Sequence, residues 1–132
     1  YRNMPTRICK AFMLAVTVIL ITPSLPAFAH HGWSWAESTQ MTLEGTIESI
    51  SMNPPHPSLT VTDAEGTVWQ VDLGNPNQTA RSGFTGDTAQ PGDAITVIGN
   101  RNKDPAEAHM KAVRIIIDGQ NYDLYPERIQ GN

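Results

Sequence analysis

Met41-Thr42-Leu43-Glu44-Gly45-Thr46-Ile47-Glu48-Ser49-Ile50-Ser51-Met52 alternates apolar and polar residues along most of its length. That is the period-two pattern of a strand with one face buried. Gly45 interrupts the run, and a glycine inside a strand marks a bulge or a sharp bend. A long first strand with a bend suits a small barrel, in which that strand must serve both halves.

The segments that follow read as further strands. Asn53-Pro54-Pro55-His56-Pro57 ends the first strand, because prolines remove backbone donors. Leu59 to Thr62 forms a second strand, Asp63-Ala64-Glu65-Gly66 a hairpin turn, and Thr67 to Leu73 a third strand. In the third, Val68, Val71 and Leu73 form the expected apolar set; Trp69 faces away from it, or a local irregularity turns it inward. Asn75 is placed to cap a short helix with Pro76 at its first position, running through Arg81 towards Gly83, with Phe84 as its anchor on the core. Gln90-Pro91-Gly92-Asp93 is a turn, Ala94 to Gly99 a fourth strand, Asn100 to Ala108 a loop, and Met110 to Ile117 a fifth strand. Asp118-Gly119 then turns the chain into a short extension, Asn121 to Leu124.

Five strands with one short helix after the third predict an all-β fold of small α content, an OB-like antiparallel barrel over residues 41–132. A sandwich of immunoglobulin type needs about seven strands. Ile47, Ile50, Val61, Val71, Val97, Val113 and Ile115 are the expected core.

Ahead of the barrel, Arg2, Arg7 and Lys10 precede an apolar run from Ala11 to Ile21, and Ala27-Phe28-Ala29 closes the segment. A basic head, a short apolar core and a small-x-small tripeptide describe a secretory signal peptide, residues 1–29, with a helix in its apolar part. The run is about half the roughly 20 residues that a permanent spanning helix needs. The expected address is periplasmic or secreted, with no membrane association after cleavage. Residues 30–40 form a polar and aromatic lead-in that holds Trp33 and Trp35.

Cleavage leaves the 103 residues from His30 to Asn132, enough for one domain with a modest core. Three of the nine basic residues leave with the signal, so six remain against thirteen acidic, a formal net charge of −7. An acidic domain of this size is not a nucleic-acid partner, since phosphate binding demands a basic face. Cys9 is the only cysteine and falls in the signal. A metal site in the mature domain therefore uses imidazole, amine, carboxylate or thioether, a donor set that favours copper over structural zinc.

His30-His31 at the cleavage point, Leu43-Glu44-Gly45-Thr46-Ile47, Asn53-Pro54-Pro55-His56, Trp69-Gln70-Val71, Pro91-Gly92-Asp93 with Ile95-Thr96-Val97-Ile98-Gly99, and Asp118-Gly119 together carry a resemblance. They resemble a family of small exported bacterial proteins known as a domain of unknown function, number 6152. The resemblance covers almost the whole mature chain and implies an exported protein without an assigned activity. Members of that family carry Asn-Pro-His, whereas here Pro55 is inserted.

His30, His31, His56 and His109 are the candidate metal ligands. A histidine at a new N-terminus offers an amine and an imidazole from one residue, both available near neutral pH. Copper(II) favours such tetragonal nitrogen sets. In an OB barrel the loops after strands one and four share an end, where ligands bind; His56 lies in the first and His109 closes the second. The eleven-residue lead-in can run back roughly 35 Å to reach them. The bland alternatives are a frayed terminus for His30-His31, a ring on prolines for His56 and a strand-edge residue for His109. Trp33 and Trp35 read as a lid or a stacking surface, and Met41, Met52 and Met110 as core filler rather than thioether ligands. Glu44 and Glu48 share a solvated face. No nucleophile elbow, phosphate loop or zinc-protease helix is present in the sequence.

Three function classes follow. The first is an OB-like binding module for a small ligand or a protein partner. The second is a copper-binding protein built on His30 with His56 or His109, and the third a metal-dependent redox enzyme at that site. Export is testable directly. N-terminal sequencing of the secreted protein should return His30-His31-Gly32, and an uncut chain would remove the basis for the N-terminal metal site.

Overall fold

The computed structural model describes residues 32–130. The expected signal peptide, with its cleavage point, His30 and His31, lies outside the described residues. The elements are β1 (Met41–Ser51), β2 (Ser58–Asp63), β3 (Val68–Asp72), α1 (Pro76–Arg81), β4 (Ala94–Arg101), β5 (His109–Ile117), β6 (Gln120–Asp123) and a final 3-10 turn, Pro126–Arg128. Sheet order is β3-β2-β1-β4-β5-β6, with β3 also pairing with β5. That extra pairing closes the first five strands into the expected OB-like barrel. The closing pair, β3 with β5, is parallel, while the other pairs are antiparallel.

β1 is the shared strand. It pairs with β4 from Met41 to Thr46 and with β2 from Gly45 to Ser51, so only Gly45 and Thr46 hold both neighbours. A Cβ at Gly45 would run into the carbonyl oxygen of Thr62 and the Val61 side chain, so the strands approach here as only glycine allows. The bulge lies three residues further on: Ile47 pairs with Val61 and Ser49 with Thr60, which leaves Glu48 as the extra residue. One extra residue reverses the alternation of faces. Ile50, which an unbroken period would turn away from Ile47, is thereby brought opposite the buried Leu59, yet it is only partly buried and falls short of the expected core position. The other six expected core residues are at most 1% exposed.

Two further details differ from the sequence reading. Val68 is 54% exposed while Trp69, Val71 and Leu73 share the inner face. Positions 69, 71 and 73 share one face of a regularly paired strand, so Trp69 turns inward by plain alternation, and its Nε1 donates to Asp63 Oδ2 at 3.1 Å. That bond, with the amides of Thr67 and Glu65, holds the Asp63 carboxyl below its usual pKa. β5 carries a second bulge, since Ile98 pairs with Arg114 and Gly99 with Ala112, which leaves Val113 over. Before it Met110 and Ala112 point inward; after it Val113, Ile115 and Ile117 do. His109 and Lys111 are thereby turned out of the core.

α1 begins as expected, with Asn75 Oδ1 accepting from the Gln78 amide at 2.9 Å and Pro76 in the first turn. Phe84 is fully buried and meets the Tyr122 ring edge-on at 5.9 Å.

Gly99 faces the Lys111 carbonyl oxygen so closely that a Cβ there would collide with it. Gly45→Ala and Gly99→Ala should each lower the unfolding free energy by about 1–3 kcal/mol. Gly86→Ala, whose Cβ would make only ordinary contact with Met52 Cγ at 3.7 Å, should stay within about 0.5 kcal/mol. Urea denaturation of the three variants checks this.

Candidate functional site

The lead-in does return along the barrel. From Met41, paired with Gly99, it passes back over the end of β4: Ala36 bridges Asn102, the Glu37 amide donates to Arg101 O at 2.8 Å, and Asn100 Nδ2 donates to Glu37 O at 2.8 Å. The Lys103 amide then bonds Trp35 O at 2.9 Å, tying the lead-in to the loop between β4 and β5.

The strongest side-chain attachment is at His109. Its Nε2 lies 2.7 Å from Asp72 Oδ2, and the Trp35 ring stacks on the imidazole at 4.0 Å with an interplanar angle of 11°. Asp72 can only accept when ionised, so Nε2 carries the proton and Nδ1 accepts from Asn102 Nδ2 at 3.4 Å. Both ring nitrogens are therefore engaged. The register explains the meeting: Gln70 pairs with His109 across the parallel closure, and Asp72 lies two residues further along the same face.

Beyond Trp35 the chain enters a groove of about 390 Å³. Gly32 and Trp33 form one wall and Pro55 and His56 of the β1–β2 loop another; Leu73, Asn75 and Gln78 line it from the β3–α1 side. Lys111, Tyr125, Glu127 and Arg128 complete it. His56 is exposed there, on a loop fixed by the buried Pro57, whose carbonyl accepts from the Leu73 amide at 2.9 Å. The Pro54–Pro55 peptide in that loop is cis.

Trp33 meets Tyr125 edge-on at 4.9 Å. The Arg128 guanidinium carbon stands 4.0 Å from the Trp33 ring centroid and Lys111 Nζ 5.1 Å from it. Lys111 Nζ also donates to Gly32 O at 3.1 Å. Burial, with Arg128 adding to it, pushes the Lys111 ammonium below the usual lysine pKa, and Asp72 opposes the shift. Burial likewise raises the Tyr125 phenol above its usual value. The C-terminal end is held against the lead-in by Gln40, whose Nε2 donates to Arg128 O at 2.6 Å.

Of the sequence candidates, His56 lines the groove, whereas His109 is not part of its lining and is engaged by Asp72 and Trp35. His30 and His31 precede Gly32 and are not described. Among the described residues, no cluster of three His, Cys, Asp or Glu is arranged to hold a metal. Lys111, Tyr125, Arg128 and Asp72 were not singled out by the sequence. The outward alternation of His109 and Lys111 against Met110 and Ala112 is the signal that could have pointed to Lys111.

His109→Ala should release Trp35 and strand the Asp72 carboxylate, whose side chain is 12% exposed. Stability should fall by about 1–3 kcal/mol, and the Lys103 amide should exchange faster in hydrogen exchange. Unchanged protection of that amide would show that the lead-in is held by its backbone bonds alone.

Among solved structures, the chain is similar to one from the S. pombe Stn1-ten1 complex, with a TM-score of 0.50 and 22% identity. The match covers 59% of this chain and 57% of that one, and it supports the fold. No curated protein matches the sequence. The model of a family of unknown function matches residues 17–111, which run from the apolar segment through the lead-in and barrel to Lys111. With that match over most of its length, the chain belongs to the DUF6152 family.

Proposed function

We propose that this protein is an exported binding module, periplasmic or secreted, that holds a small ligand in the groove between Trp33, His56 and Lys111. The carrying observation is the groove itself. Its 390 Å³ falls within the range of small-molecule sites, and it combines aromatic walls with a few converging polar groups. Its walls come from the lead-in, the β1–β2 loop, β5 and the C-terminal turn, so separated parts of the chain converge on one space. A bound protein segment is the competing occupant.

A small fragment library, added to the protein beginning at His30 and followed by protein NMR, tests this. Shifts should gather at the Trp33 indole and at His56, and His56→Ala should weaken the hits while leaving the melting temperature intact. Hits spread over other faces of the barrel would overturn the reading.

One observation favours copper as a second reading. Gly32 lines the groove with His56, and His31 and His30 are attached directly ahead of it. Consecutive Cα atoms are about 3.8 Å apart, so an amine at His30 is tied by two residues to a groove-lining position. His109, with both ring nitrogens engaged, is the poorer partner. Copper(II) titration should then show weaker binding when one residue is added ahead of His30, which turns the amine into an amide. His56→Ala should weaken it too, and His109→Ala should not. Equal affinity of the native and extended forms would exclude the amine as a ligand.

A further inference from the structure

Six basic residues remain in the mature chain, and two of them, Lys111 and Arg128, face the same groove. Arg114 is paired with Asp123 at 2.6 Å, and Arg101 lies over Trp69 and donates to backbone carbonyls. Neither Lys111 nor Arg128 has a carboxylate within ion-pair distance among the described residues. Asp72, the acid that acts on Lys111, is already engaged by His109. Two cations within 5.1 Å of one aromatic centroid repel each other, and the partly buried ammonium is offset by two ring faces, Gly32 O and the field of Asp72, with no carboxylate in contact among the described residues. Among the described residues Lys111 uses one hydrogen bond, to Gly32 O, of the three its ammonium can donate. On a domain of formal charge −7 this arrangement is out of keeping with its surroundings.

We infer that the groove is a site for a small oxyanion, a carboxylate or a phosphate monoanion, received between Lys111 and Arg128 with Trp33 and Tyr125 as its low-dielectric wall. The inference rests on the groove being the ligand site. Charge-assisted hydrogen bonds from an ammonium and a guanidinium suit an oxyanion. The rings exclude water from one side and so strengthen both contacts. Bound anion also relieves the depression of the Lys111 pKa, because it favours the charged form. Glu127, exposed at the rim, limits the charge the groove accepts. It sets the site against polyanions.

The test uses the protein beginning at His30 and four probes: inorganic phosphate, phenylacetate, phenylacetamide and phenylethylamine. Calorimetry should show binding of phenylacetate or phosphate, the tighter of the two naming the oxyanion. The neutral amide and the amine should bind at least about tenfold more weakly. Arg128→Gln and Lys111→Met should each cost about tenfold, whereas Lys103→Met, an exposed lysine outside the groove, should change nothing. Arg128 is exposed, so its variant keeps the fold and decides the matter if Lys111→Met melts early. Amide or amine binding in the groove as tightly as phenylacetate would overturn the oxyanion inference and leave the groove reading standing. An equal loss in Lys103→Met would reduce it to general charge attraction. Failure of all four probes to shift any groove residue would overturn both.

Discussion

A five-stranded sheet can close only if one strand parts company with one neighbour while gaining another, and β1 is where this happens. Its two neighbours overlap at Gly45 and Thr46 alone. The absence of a side chain at Gly45 lets Thr62 approach, and the bulge at Glu48 then adds the twist that carries the second half of the strand along β2. Every later feature follows from that bend. It brings β3 alongside β5, the parallel closure aligns Gln70 with His109, and Asp72 arrives where it can hold the imidazole.

The lead-in is a structural part of the barrel from Trp33 onward. Its carbonyls and amides are paired with residues 100–103, and its two tryptophans take different duties. Trp35 stacks on a histidine whose proton is already committed, which fixes the direction of the segment. Trp33 lies further on and forms a wall of the groove between two cations. A single change of chain direction thus separates an anchoring aromatic from one that faces the open space.

Much of this was legible in the sequence, for physical reasons that differ by element. The strand order, the Asn75-Pro76 helix start and the proline break before β2 are set by local chemistry, so the residues themselves announce them. The face of Ile50 and the outward turn of Lys111 are not. They depend on single-residue bulges, and a period-two count does not register an inserted residue, whereas Trp69 simply alternates with Val71 and Leu73. His56 was found because its loop is marked by prolines. Arg128 and Tyr125 were missed because they reach the groove through the C-terminal turn, which Gln40 holds from the other end of the domain.

That last contact bears on the order of events during synthesis. Gln40 and Arg128 are 88 residues apart in sequence, and Asn100 reaches Glu37 across 63. Loop closure of that span comes late, after the nearer pairings have formed. The clamp on the lead-in therefore waits for the segment that carries Arg128, 88 residues beyond Gln40. The groove is thus completed by Tyr125, Glu127 and Arg128, which are among the latest of the described residues to be made.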